Sequence, residues 1–155
     1  MANAGPSNRV LETNTIVTLN NFDSLGLSIS DIKADGHCLY RSIAAAISQD
    51  YTVIRSLAAD VLDAFKDDYA PFAMDDEGTP FHEYCDKVRQ SAEWGGELEL
   101  RAIARGLKRR IRVFNATPNP IVVEEEGASA EDEIMLSYHL SYYDLGAHYN
   151  LVIRK

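Results

Sequence analysis

Two short stretches carry residue types that could do covalent chemistry. Asp35-Gly36-His37-Cys38 sets a tight Asp-Gly turn before a cysteine, and Leu39, Ile43, Ala46 and Ile47 follow at helical spacing. Cys38 therefore falls at the N-terminus of a helix. There the free backbone N–H groups and the helix dipole stabilise a thiolate and lower the thiol pKa. The thiolate is the reactive species, so the position suits a nucleophile; it equally suits a small, inert cysteine buried at a helix start. His148-Tyr149-Asn150 is the second stretch. Side chains two apart on a strand share a face, so His148 and Asn150 project together while Tyr149, Leu151 and Ile153 fill the other side. An Asn beside a His accepts the ring N–H, fixes the tautomer and leaves the second nitrogen to face a thiol. Two polar residues facing water at a strand edge is the plainer alternative, and it holds unless a cysteine is brought alongside.

The remaining candidates are weaker. His37 adjoins Cys38 on the turn, where neighbouring side chains seldom face each other, so a contact with solvent or substrate is expected. His82 and His139 lie in amphipathic segments and read as ordinary surface or core histidines. Cys85 falls on the apolar face of a helix and reads as inert core, a poor resolving partner for a redox-sensing Cys38. Cys38, Cys85, His82 and His148 offer N/S ligands, but no C-x-x-C or H-x-x-x-H spacing occurs, so neither a metal nor another cofactor is expected. Two cysteines make no disulfide framework and suit a reducing compartment, the cytoplasm or nucleus.

These residues need elements to hold them. Thr15 to Leu19 reads as a short strand, and Leu25 to Ile32 as scattered apolar residues leading into the Asp-Gly turn. A first helix is predicted over 37–48 and a second over 52–66, the latter with Val53, Leu57, Val61 and Phe65 as its buried stripe. Residues 67–78 are acidic, contain Pro71 and read as a loop with one turn. Thr79 as N-cap and Pro80 at the first helical position start a third helix, with Phe81, Tyr84, Cys85 and Val88 on one face. Trp94-Gly95-Gly96 breaks the chain before a fourth helix over 97–108, which turns Leu100, Ile103, Ala104 and Leu107 inward. The period then shortens. Strands are predicted over 110–115, 121–125, 134–141 and 147–154, with 127–133 as an acidic loop and Asp144-Leu145-Gly146 turning a terminal hairpin. Helices first and strands afterwards predict an α+β domain rather than a doubly wound sheet.

Composition bounds the rest. The chain has 155 residues, 46% of them apolar, enough for one domain with a real core. Residues 1–14 read as a polar tail and 15–155 as the single domain, expected as a monomer. A formal net charge of −9 argues against a nucleic-acid partner. No apolar run approaches the ~18 residues of a membrane span, and no secretory signal is visible at the start.

Three motifs together resemble the OTU (ovarian tumour domain) cysteine proteases. Asp35-Gly36-His37-Cys38-Leu39-Tyr40-Arg41-Ser42 is similar to that family's active-site segment. Trp94-Gly95-Gly96-Glu97-Leu98-Glu99-Leu100 resembles its middle motif. Ser137-Tyr138-His139 through Gly146-Ala147-His148-Tyr149-Asn150 resembles its histidine motif, in a form like the eukaryotic Otu-two-like branch. The three keep family order and span about Ile29 to Ile153. The resemblance implies a papain-like α+β fold, helices around a small, mostly antiparallel sheet. It implies hydrolysis of the isopeptide or peptide bond after the C-terminal glycine of ubiquitin through a thioester, with ubiquitin, polyubiquitin or a ubiquitin-like modifier as partner. By position Cys38 is the nucleophile, His148 the general base and then acid, and Asn150 the residue that orients it. Asp35 matches the family's motif aspartate, although its own chemistry suits turn-shaping or helix-capping. The loop of Gly36, His37 and Cys38 would supply amides to an oxyanion; His37 stands where many members have Asn. Gly95 and Gly96 would let backbone approach a double-glycine tail, with Trp94 as a wall, or would form a plain inter-helix turn around a core tryptophan. Glu97 or Glu99 would pair with the basic tail. The competing function is a ubiquitin-binding module of the same fold without activity, which would need none of Cys38, His148 and Asn150.

Overall fold

A computed structural model describes residues 22–73, 78–115, 120–125, 129–139 and 148–155. The elements run β1 (Leu27–Ser30), α1 (Cys38–Ala46), α2 (Tyr51–Ala64), α3 (Lys66–Tyr69) with a 3-10 turn at Ala70–Phe72, α4 (Phe81–Gln90), α5 (Glu97–Leu107), β2 (Arg109–Phe114), β3 (Ile121–Val123), β4 (Ser129–His139) and β5 (His148–Arg154). The five strands form one sheet in the order β1-β5-β4-β2-β3. Only β2 and β4 are parallel; the other pairings are antiparallel. The expected α+β class and mostly antiparallel sheet are what the chain forms.

Strand alternation gives the sheet two different faces. Ile111, Val113, Val123, Ile134, Leu136 and Leu151 face the helices and join the main core with Leu39, Ile43, Ile54, Leu62, Leu100 and Ile103. The opposite face carries a smaller apolar cluster of Phe22, Leu27, Phe114, Met135 and Val152.

Several boundaries depart from expectation for definite reasons. Leu27–Ser30 is a strand because it pairs with β5 at the sheet edge, a long-range partner that local pattern does not reveal. On α2 the buried residues are Ile54, Arg55, Ala58, Ala59, Val61 and Leu62, while Val53 and Phe65 are exposed. A residue every four positions drifts about 40° per step around a helix, so that stripe leaves the core within three steps. In 67–78 the chain forms α3 and the 3-10 turn instead of one turn. The helix after Thr79 starts one residue late, with Pro80 extended as its N-cap. The acidic stretch up to Glu133 belongs largely to β4, because Arg110 and Arg112 on β2 draw the Glu133 carboxylate into the sheet. The expected strand at 15–19, the tail at 1–14 and the turn at 144–146 lie outside the described residues. Among the described residues no helix is long and apolar enough to cross a membrane.

Candidate active site

β1 stops pairing with β5 at Ser30↔Leu151, so Tyr149, paired with Tyr138 of β4 on one side, has no strand on its β1 side. The first turn of α1 fills that place. Tyr149 N–H donates to Cys38 Sγ at 3.4 Å, and the Ser42 hydroxyl, which donates to Cys38 O at 2.7 Å, lies 3.4 Å from Tyr149 O. The amide on the sulfur is the peptide joining His148 to Tyr149. The thiol thus sits directly against the peptide that follows the histidine, its donor Tyr149 lying 111 residues away in sequence.

His148 and Asn150 are both buried, and His148 Nε2 lies 2.8 Å from Asn150 Oδ1. Ile32 N–H also reaches Asn150 Oδ1 at 2.8 Å. A backbone amide only donates, so the atom it meets must be the oxygen of the carboxamide. That oxygen can only accept, so Nε2 carries the ring proton. In the neutral ring Nδ1 is then the basic nitrogen. The chain leaving β1 thereby fixes the tautomer of a residue on β5, and the predicted His–Asn pair is present.

Burial pushes the Cys38 thiol above its ordinary value, outweighing the Tyr149 N–H bond that pulls it down. The expected lowering by the helix start does not prevail, because the sulfur is almost wholly removed from water. Burial thus biases Cys38 toward the thiol form. Cys85 is held still higher, at about 11, first by burial and then by Asp63 and Asp86.

Asp35 shapes the turn. Its carboxylate accepts from His37 N–H at 2.9 Å and pairs with Arg41 at 3.0 Å, while its carbonyl accepts from Cys38 N–H at 3.2 Å. Burial alone would raise its pKa, but Arg41 and the His37 amide hold it below the ordinary value. Of the three amides expected to serve an oxyanion, those of His37 and Cys38 are thus bonded within the loop. Gly36 is required by packing: a Cβ there would lie 2.0 Å from Ala92 O.

His37 is half-buried and also engaged within the protein, contacts that the sequence did not suggest. Its ring packs 4.4 Å from that of Tyr51, and Nδ1 accepts from Arg55 Nε at 2.9 Å. Burial first, and then the Arg55 cation, lower its pKa.

The Trp94-Gly95-Gly96 segment faces both ways. Trp94 is 50% exposed, so it is a surface side chain rather than a core one. Gly95 has an intramolecular reason to lack a side chain, since a Cβ would lie 2.9 Å from the Tyr40 hydroxyl. Glu99 is buried and commits its oxygens to Gly96 N–H at 2.8 Å and to the Tyr84 hydroxyl, so it caps α5 and is not on the surface to pair with a basic peptide. Glu97 is exposed, bridges to Arg101 at 3.6 Å, and lines a small cavity with Leu100, Val113, Tyr138 and Tyr149.

Two neighbours were not foreseen. His139 pairs across the strands with His148, and its Nε2 lies 2.9 Å from the Ser137 hydroxyl. Arg55 lies beneath the Cys38 loop; the only sequence signal was an arginine set between Ile54 and the small Ala58 and Ala59. Among the described residues no group of three or more His, Cys, Asp or Glu is arranged to hold a metal ion.

The model of the OTU-like cysteine protease family matches residues 33–149. The human deubiquitinase OTUD6B is 34% identical over 139 residues, which cover 83% of this chain and 47% of that protein. The ubiquitin thioesterase otu2 of Schizosaccharomyces pombe is 27% identical over 140 residues, 84% of this chain and 47% of that protein. The chain therefore spans about half the length of the curated relatives it matches. The solved OTUD1 OTU domain superposes with a TM-score of 0.66 at 21% identity, covering 86% of this chain and 90% of that one. An OTU domain solved in complex with ubiquitin gives 0.64 at 22% identity, covering 93% and 78%. These two likenesses establish the fold.

Proposed function

The chain belongs to the OTU-like cysteine protease family, and from that premise we propose that it is a deubiquitinating cysteine protease that cleaves after the C-terminal glycine of ubiquitin. The observation that carries the reading is the chain Ile32 N–H to Asn150 Oδ1 to His148 Nε2, set beside a thiol that rests against the His148–Tyr149 peptide. A binding module needs no tautomer-fixed histidine at a buried cysteine.

His148 Nδ1 takes the Cys38 proton, and the thiolate attacks the glycine carbonyl. The imidazolium then protonates the departing lysine amine, leaving a thioester on Cys38. The same nitrogen deprotonates water, which attacks the thioester and returns the thiol. Asn150 keeps Nδ1 aimed through both steps, and Asp35 acts by holding the turn rather than by touching His148. The Cys38 amide, whose bond within the loop is long, is the donor assigned to the oxyanion, with the Gly36 and His37 backbone forming the rest of that loop. Trp94, Gly95, Gly96 and Glu97 border the path of the ubiquitin tail, Glu97 offering its exposed carboxylate. Two unpaired cysteines support a working place in the reducing cytoplasm or nucleus.

The test is the intact mass after mixing the chain with ubiquitin bearing a C-terminal thiol-reactive group, beside a Cys38→Ala control. One ubiquitin adduct in the parent and none in the control is expected. Binding without an adduct would identify a non-catalytic module instead.

A further inference from the structure

We propose that Arg55 is a positioning residue for the nucleophile, its guanidinium locking the loop before Cys38 to the loop that carries Trp94, Gly95 and Gly96. This deepens the hydrolase reading and rests on it.

Arg55 projects from α2 and is 2% exposed. Its Nε donates to His37 Nδ1 at 2.9 Å. Its Nη2 donates to Gly36 O at 3.2 Å and Glu93 O at 2.7 Å, and its Nη1 to Val88 O at 2.8 Å. Its Cζ lies 4.1 Å from the centre of the Tyr40 ring. Among the described residues no carboxylate forms an ion pair with it. Burying a cation against carbonyls, an imidazole lone pair and an aromatic face costs more than burying an apolar side chain of like volume. A residue that only filled this space would not need to be arginine.

The bonds explain the choice. The Gly36–His37 peptide is held at both ends, its carbonyl by Arg55 and its N–H by Asp35. The His37 ring is held by Arg55 and Tyr51. Cys38 is the next residue, so any rotation of that peptide swings its Cα, its thiol and its amide together. The same guanidinium fixes Glu93, one residue before Trp94. Only a planar fork can serve Nδ1, two loop carbonyls and the end of α4 at once; lysine carries the charge but not the directions.

The arrangement also requires a neutral His37 with its proton on Nε2. The groups facing that ring are Arg55 and Tyr51 from α2, Arg41 from α1, and Asp35 and Lys33 from its own loop.

The experiment compares Arg55→Lys and Arg55→Met with the parent in the full chain. It reads kcat and KM on a fluorogenic ubiquitin C-terminal conjugate, the rate of adduct formation with electrophilic ubiquitin, thermal melting, and the His37 imidazole by long-range 1H–15N spectroscopy. For Arg55→Lys a fall in kcat of about 10²-fold is expected, with KM within about threefold, because small misplacement of the attacking atom acts on the rate. The parent should show the Nε2–H tautomer at His37, and in Arg55→Met the His37 pKa should rise. An arginine that only stabilised the fold would lower melting and leave kcat per folded molecule unchanged, and that result overturns the proposal. If the lysine variant does not fold, His37→Phe decides: it keeps the ring on Tyr51 and removes the acceptor, and a fall in kcat of about tenfold at constant KM is expected, whereas unchanged kcat overturns the proposal. A parent that forms no adduct refutes the hydrolase reading itself, while parent and Arg55→Lys reacting at equal rates refute the role of Arg55 alone.

Discussion

Along β4, one face of the sheet runs from Glu133 through Met135 to Ser137 and His139, and its two ends bury polar groups in opposite ways. At the Glu133 end, Arg112 Nε meets Glu133 Oε1 at 3.0 Å, Arg110 Nε meets Glu133 Oε2, and Arg110 reaches Glu124 at 3.3 Å. At the other end Cys38, Ser137, His148 and Asn150 are as deeply buried, yet they form a thiol, a hydroxyl, an imidazole and an amide. Met135, Phe114 and Val152 lie between the two ends. The ionic end compensates its charges locally, and moving any proton there would strand a buried charge. The thiol end holds groups whose protonation can change, with geometry imposed by backbone amides from Ile32 and Tyr149. Buried polarity is ionic and mutually paired at one end and neutral and hydrogen-bonded at the other.

Removing the sulfur is the sharpest way to separate the two ends. Cys38→Ala is expected to lower ubiquitin-conjugate hydrolysis by at least about 10⁴-fold, with a melting temperature near that of the parent. Breaking the ionic end should do the reverse. Glu133→Ala leaves two buried arginines short of their carboxylate and should destabilise the chain by about 3–5 kcal/mol in urea unfolding, while kcat per folded molecule stays unchanged. A loss of kcat there would mean that the two ends are coupled.

Asn150→Ala falls between these, because Asn150 serves both roles. A fall in kcat of about 10²-fold is expected from the loosened imidazole, with about 1–3 kcal/mol of stability lost because Ile32 N–H also loses its acceptor. Stopped-flow rates and denaturant melts on one preparation separate the two losses. Asp35→Asn should have the smallest effect. Its carboxylate pairs with Arg41 but is 24% exposed, so about 0.2–1 kcal/mol is expected. Because the folded carboxyl titrates below its ordinary value of 3.8, its contribution is complete above that value. The contribution disappears as pH falls through the folded pKa. Melting temperatures of parent and variant should converge in acid; a constant gap would rule out this ion pair as the source.

Much of the site was legible because it is written locally. The Asp-Gly turn, the apolar spacing after Cys38 and the alternation of His148 and Asn150 are short-range patterns, and each element formed where its pattern lay. The α2 stripe held at Leu57 and Val61 but lost Val53 and Phe65, because a four-residue step drifts off a helix face, and the acid before β4 misled because Glu133 has its partners on β2. Arg55 was invisible for a related reason: an arginine reads as surface until the carbonyls that satisfy it are in place.

What the sequence determined by itself was most of the elements, β1 and α3 excepted, and the residue types able to react, since turns, caps and periodicity act over a few residues. Only the tertiary structure decided that β1 ends in time for α1 to take its place beside Tyr149, and that Ile32 fixes the oxygen of Asn150 and with it the proton of His148. It also decided that burial, not the helix start, sets the state of the Cys38 thiol. Those outcomes depend on partners more than a hundred residues apart, and desolvation and hydrogen-bond direction exist only once such partners meet.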